Sequence, residues 1–189
     1  WGVAGDTFTA LEMLGKFGVD TWFNLGDRDF ATHIRRSQLL AEGKTLSEVT
    51  SELNQSLGVF HSVVPMSNDP VKTVLSTDEG ELPMQRYFVG RRAEPKVFEV
   101  RYVGVENATA APGLLDSLAK CGMLVLCPSN PYLSLGPILA LPDVRQLMRD
   151  FSGKKVCVSP IVGGDAVKGP AGKIMAELGK QVSCVEVAR

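Results

Sequence analysis

From Pro112 onward, short valine-rich apolar runs alternate with segments of helical periodicity. The spacing predicts helices over 113–120, 143–151 and 171–178, followed by strands over 123–127, 155–158 and 182–187. Helices interleaved with near-continuous apolar strands imply parallel pairing, with each strand buried on both faces. That alternation makes the chain α/β. Ligands of such sheets sit beyond the carboxyl ends of the strands, and two segments occupy those ends here.

The first is Pro128-Ser129-Asn130-Pro131-Tyr132-Leu133-Ser134-Leu135-Gly136-Pro137. Its prolines and glycine restrict the backbone, while Ser129, Asn130 and Ser134 offer hydroxyl and amide groups to phosphate oxygens. The second, Ser159 to Pro170, contains Gly163, Gly164, Lys168 and Gly169, and leads from a strand into a helix. Its glycines permit close backbone approach and Lys168 adds charge, yet it is neither a Walker loop nor a Gly-x-Gly-x-x-Gly motif. A plain strand-to-helix connection is the competing reading for both.

The first half of the chain reads differently. Asp6 is expected to cap a helix reaching about Phe17, with Phe8, Leu11, Met13 and Leu14 facing inward. Within the ten residues Asp27 to Arg36 lie two aspartates, three arginines and one of the two histidines of the chain. Asp27 and Asp29 fall in the first turn of a predicted helix, where carboxylates complement the terminal dipole. Capping accounts for one of them; Arg28 between them, and Thr32, His33 and Arg36 at helical spacing, mark a candidate site. Ile34, Leu39 and Leu40 are expected inside. Thr45-Leu46-Ser47-Glu48 is a capping box opening the next helix, which ends before Gly58.

Extended runs are then expected at 59–64, 73–77, 82–89 and 97–103, in a small antiparallel sheet with a hairpin at Asp78-Glu79-Gly80. Met66-Ser67-Asn68-Asp69-Pro70 reads equally as turn formers or ligand contacts. Gly90-Arg91-Arg92 is read as a solvated loop and His61 as a structural residue in a strand.

A net charge of −1 over 189 residues argues against a general nucleic-acid binder. Cys121, Cys127, Cys157 and Cys184 are far apart and read as small core residues in a reducing compartment. No apolar run has the length of a membrane span, so the chain is expected to be cytoplasmic, with no membrane partner.

Taken together, Leu25-Gly26-Asp27-Arg28-Asp29 with Ala31-Thr32-His33, Met66 to Pro70, Pro128-Ser129-Asn130-Pro131 with Ser134 and Pro137-Ile138-Leu139, and Ser159 to Gly163 with Lys168-Gly169-Pro170 resemble the 2-phospho-L-lactate transferase family, in the family's order. The resemblance implies a Rossmann-like domain with an inserted α+β subdomain and a magnesium-dependent active site between them. On this chain it implies one transferase domain over 1–189, truncated at both ends, with 19–110 as the insertion and 111–189 as the Rossmann-like part. Trp1 in place of an initiator methionine, and the missing first strand and phosphate loop, predict that the chain alone is inactive.

The implied reaction belongs to coenzyme F(420) biosynthesis. A phospholactyl or phosphoenolpyruvyl group passes from its guanosine diphosphate ester to the deazaflavin 7,8-didemethyl-8-hydroxy-5-deazariboflavin (Fo), and GMP is released. Asp27, Arg28 and Asp29 become the implied catalytic residues. Asp27 and Asp29 are Mg2+ ligands, directly or through water, or Asp27 is the base. Asn24, Asp27 and His33 are implied contacts of Fo, with His33 alternatively bonding phosphate or packing beside the aspartates. Ser129, Asn130, Ser134, Gly163, Lys168 and Gly169 are implied contacts of the nucleotide, and homodimer formation is left open. A non-catalytic regulator that binds a sugar nucleotide is the alternative.

Overall fold

The charged stretch forms a helix where its sequence places one. In the computed structural model, which describes residues 2–188, helices α1 (Thr9–Lys16), α2 (Asp27–Ala41) and α3 (Leu46–Ser56) make up a first unit that ends at Pro65. The α3 capping box closes as expected: Glu48 N–H donates to Thr45 Oγ1 at 3.3 Å and Thr45 N–H to the Glu48 carboxylate at 2.8 Å. Leu39 of α2 and Val49 of α3 are fully buried.

Three expectations for this unit are corrected. Ile34 is 56% exposed and Leu40 is also exposed, because residues five and one positions from Leu39 lie roughly 140° and 100° around the helix from it. No residue of α1 is buried, and Phe8 and Met13 are exposed. The run 59–64 is not a strand: among the described residues no partner edge reaches it, Phe60 is 97% exposed, and His61 is exposed beside it. Strand propensity needs a neighbouring strand to act on.

The second unit begins at Met66. Strands β1 (Lys72–Thr77), β2 (Gly80–Pro83) and β3 (Val97–Val103) form an antiparallel sheet in the order β2-β1-β3, with Thr77 opposite Gly80 at the expected hairpin. The predicted strand 82–89 stops at Pro83, which has no N–H for the ladder, and gives way to a π-helical turn, Arg86–Gly90. Beyond it Arg92 and Ala93 take φ of +51° and +57°, a conformation held by Ala93 N–H donating to Tyr87 O at 2.9 Å. The Arg91-Arg92 pair is exposed as expected, and Arg91 pairs with Glu79.

The polar loop 66–70 is a turn. Ser67 donates its hydroxyl to Thr109 O at 2.6 Å, and Asp69 accepts from Thr109 N–H and Oγ1–H at 2.9 and 3.1 Å. Helix α4 (Leu114–Lys120), strand β4 (Met123–Leu126), helices α5 (Gly136–Ala140) and α6 (Pro142–Asp150), and strand β5 (Lys154–Cys157) follow. Strands β4 and β5 pair in parallel. Leu141 and Val144 are buried against Leu115, Leu118 and Met148.

The α/β character therefore stands, with corrections to its sheet. Among the described residues only two strands pair in parallel. Met123, Val125, Val156 and Val158 are between 41% and 49% exposed, so this face is not buried as expected. Cys127, which continues it, is exposed; so is Cys184, while Cys121 and Cys157 are half-buried. The third expected strand is helical: after β6 (Ile161–Val162), β7 (Asp165–Ala166) and α7 (Ala171–Glu177), the chain ends in α8 (Cys184–Val187). Ser183 caps α8 by accepting Glu186 N–H at 3.2 Å, and Ser-x-x-Glu is a helix-start signature that outweighs the valines after it.

The main core joins the sheet to α7: Leu75, Tyr87, Val97, Leu133 and Ile174 cluster together. Lys173 donates to Pro95 O at 2.7 Å, and Glu177 accepts Val97 N–H at 2.9 Å. The expected boundary after residue 110 falls inside this second unit. No helix among the described residues is long and apolar enough to cross a membrane.

Removing the Thr45 hydroxyl breaks the capping box in a helix whose burial rests on few residues. Thr45→Ala is expected to lower unfolding stability by about 1 kcal/mol, read as a shift of the urea midpoint followed by circular dichroism. An unchanged midpoint would show that the cap is idle.

Candidate functional site

The expected site residues fall into two groups, one in each unit. In the first, two helix starts cap each other through carboxylates. Asp27, the first residue of α2, accepts Thr7 Oγ1–H at 2.6 Å, Thr9 N–H at 3.1 Å and Ala10 N–H at 2.9 Å, so it satisfies the open end of α1. Asp6 works in the opposite direction: its Oδ1 accepts Arg28 N–H at 3.1 Å near the start of α2, and Thr7 N–H at 2.9 Å. Asp6 was expected to cap the helix that follows it; it caps the next one instead.

Glycine at position 26 makes this crossing possible. A Cβ there would stand 2.1 Å from Asp6 Oδ2. That oxygen is buried and has no hydrogen-bond partner among the described residues. The Thr7 hydroxyl, and after it the Ala10 N–H, hold the Asp27 carboxyl below the usual carboxylate range.

The neighbours of Asp27 are differently placed. Arg28 is exposed and reaches Ala4 O at 3.5 Å through Nη1. Asp29 is half-buried and accepts no hydrogen bond among the described residues. His33 is exposed one turn along the same face of α2, and Asn24 is exposed just ahead of the helix. Thr32 donates its hydroxyl to Arg28 O, as a helix residue does. The structure thus brings Asp6, Thr7, Asp27 and Arg28 together. Asp6 and Thr7 were missed as partners of this cluster, although a Gly-Asp-Thr ahead of a helix is a visible capping signal.

Magnesium finds a limited donor set here. Both oxygens of Asp27 face N–H and O–H donors, whereas Asp29 meets no such donor among the described residues. Among the described residues no three His, Cys, Asp or Glu side chains assemble into a metal-binding group.

The second group lies on the connections that leave β4 and β5. Asn130 is a cap: its Oδ1 accepts Tyr132 and Leu133 N–H at 2.9 and 3.0 Å and opens a π-helical turn, Pro131–Leu135. Its Nδ2 is buried without a partner among the described residues. Ser129 is half-buried and Ser134 exposed, and neither hydroxyl makes a hydrogen bond among the described residues. Gly163 and Gly164, at φ of +63° and +87°, form the two-residue turn between β6 and β7, which explains both glycines locally. Gly169, at φ +74°, lies with its Cβ position 3.7 Å from the Phe88 ring, and Lys168 beside it is exposed.

These two connections meet at one residue. Tyr132 packs against the main core and also against Ile161, Ala171 and Met175, which belong to the second connection and its helix. Two unengaged hydroxyls and a lysine are thereby carried by loops at the carboxyl ends of parallel strands, a disposition suited to an anionic ligand.

The depressed Asp27 carboxyl links stability to acidity. Its folded value lies below the unfolded one of about 3.9, so its contribution is complete above that pH and is lost as pH falls through the folded value. Asp27→Asn is expected to lower thermal stability at neutral pH and to flatten the acid limb of the stability profile, measured by calorimetry between neutral and acid pH. A variant with the parent's acid limb would show that Asp27 does not couple the two helices.

Comparison with known proteins identifies the family. The model of 2-phospho-L-lactate transferase CofD matches residues 5–188. A 2-phospho-L-lactate transferase of Methanosarcina mazei is 41% identical over all of this chain and 61% of its own length. A phosphoenolpyruvate transferase of Streptomyces griseus is 40% identical, again over the whole chain and 61% of that protein. This chain therefore spans about three fifths of the length of these relatives. Among solved structures, a UPF0052-family protein of Bacillus halodurans shares the fold at a TM-score of 0.57 and 17% identity, over 71% of this chain and 41% of that one. The chain belongs to the 2-phospho-L-lactate transferase CofD family.

Proposed function

We propose that this chain forms part of a transferase that moves a phospholactyl or phosphoenolpyruvyl group from its guanosine diphosphate ester to Fo. The acceptor hydroxyl of Fo attacks the phosphorus that bears the lactyl or enolpyruvyl oxygen. The bridging P–O bond of the diphosphate breaks, GMP leaves with the electron pair, and the hydroxyl proton passes to a carboxylate or to water. Such transfers depend on positioning and on neutralising phosphate charge.

The observation that carries this reading is the meeting of the two strand-end connections at Tyr132, with the Ser129 and Ser134 hydroxyls unengaged and Lys168 exposed. We assign those three groups to the donor nucleotide. Asn130 supports them as the cap of its turn, while Gly163 and Gly169 shape the second connection. Arg28, Asn24 and His33 are the exposed groups assigned to phosphate and deazaflavin. Asp29, which accepts no hydrogen bond among the described residues, is the carboxylate assigned to Mg2+ or to the hydroxyl proton. Asp27 is assigned to holding the helices. Magnesium, when bound, offsets phosphate charge.

Family members named for phospholactate and for phosphoenolpyruvate match this chain at 41% and 40% identity, so both donors belong in the assay. The test follows GMP release, with Mg2+, Fo and each guanosine diphosphate ester, by this chain extended to the length of its relatives. Removing both hydroxyls, Ser129→Ala with Ser134→Ala, is expected to weaken guanosine nucleotide binding about tenfold or more, as loss of two charge-assisted hydrogen bonds does, and to leave Fo binding unchanged. Equal loss for both ligands would remove the nucleotide assignment. Nucleotide binding without any transfer to Fo would favour the regulator.

A further inference from the structure

Tyr102 of β3 extends from the antiparallel sheet to the candidate nucleotide segment and donates its phenolic O–H to Tyr132 O at 2.7 Å. The route is open only because residue 136 has no side chain. A Cβ on Gly136 would stand 1.8 Å from the Tyr102 hydroxyl oxygen, 2.7 Å from Cζ of that ring and 2.9 Å from Pro131 O. Gly136 has φ −52° and ψ −49°, which any residue adopts, so space and not backbone conformation calls for glycine there. A phenol and a missing side chain from separate parts of the unit thus form one complementary pair.

The acceptor is the residue at which the two strand-end connections meet. The ring of Tyr132 packs on the main core and on the cluster holding Ile161 of β6. Its carbonyl lies inside the π-helical turn 131–135, which carries Ser134 and follows Ser129. The cap from Asn130 secures the amide side of this turn, and Tyr102 secures the carbonyl side.

We propose that Tyr102, passing over Gly136, is a positioning residue for the donor nucleotide: through Tyr132 it sets where the Ser129 and Ser134 hydroxyls stand. The proposal rests on reading these segments as the nucleotide site. Burial raises the Tyr102 phenol to about 12, which keeps it protonated and donating throughout the working range of pH.

The test compares Tyr102→Phe with Tyr87→Phe in the chain extended to its relatives' length. Tyr87 lies in the main core with Leu133, but its hydroxyl donates to Ala93 O at 3.4 Å and not to the turn. Calorimetry measures binding of guanosine diphosphate and of Fo, and hydrogen exchange follows the amides of 131–135. Tyr102→Phe is expected to weaken guanosine diphosphate about five- to tenfold, the worth of one buried hydrogen bond. It should also speed exchange in the turn and leave Fo affinity unchanged. Tyr87→Phe should lower the melting temperature without a nucleotide-specific loss. Gly136→Ala, where it folds, should reproduce the Tyr102→Phe pattern and add little to it in the double variant.

Unchanged guanosine diphosphate affinity in Tyr102→Phe overturns the proposal, as does an equal loss in both phenylalanine variants. Should the parent protein not bind guanosine diphosphate at all, the nucleotide reading fails and the positioning role falls with it. Faster exchange in Tyr102→Phe alone would then leave a purely structural bond.

Discussion

Tyr132 belongs to two hydrophobic clusters at once, and the layout of the second unit depends on that double contact. Its ring ties the sheet core around Leu75, Val97 and Ile174 to the smaller cluster of Ile161, Ala171 and Met175. Its backbone is clasped on one side by Asn130 and on the other by Tyr102. Single π-helical turns are rare and recur at functional sites. Here the cap from Asn130 and the bond from Tyr102 hold the turn, leaving the Ser129 and Ser134 hydroxyls outside the clasp.

The first unit solves a different problem with the same kind of bond. Two helix starts lie near each other, each with open N–H groups: α1 receives the carboxylate of Asp27, the first residue of α2, and α2 receives that of Asp6, which precedes α1. Charge density in sequence is therefore an ambiguous sign of chemistry. Asp27 has the position and residue type of a catalytic group, yet its oxygens are occupied by Thr7, Thr9 and Ala10. Asp29, two residues on, accepts no hydrogen bond among the described residues.

Local signals decided much of the fold. Gly26 before Asp27, Thr45 with Glu48, and Asp78-Glu79-Gly80 each act within four residues, and the elements they predict form. The alternation after Pro112 placed α4, β4, α6, β5 and α7 for the same reason. Where the reading failed, residue type was taken for environment. The runs 59–64 and 182–187 are rich in valine, but the first has no edge to join among the described residues and the second is opened by a helix cap. At Pro83 a single missing N–H ended a strand whose apolar pattern continued.

The candidate site divides along the same line. The sequence by itself determined the family, the strand-end loops and the residue types within them, because those depend on local order along the chain. Only the tertiary structure decided which groups are engaged. Asn130 turned out to be a cap, Gly163 half of a hairpin turn, Asp27 a link between helices, and Gly136 a window for Tyr102. A hydrogen-bond partner 17, 20 or 30 residues away leaves no mark on the spacing of the residue that accepts it.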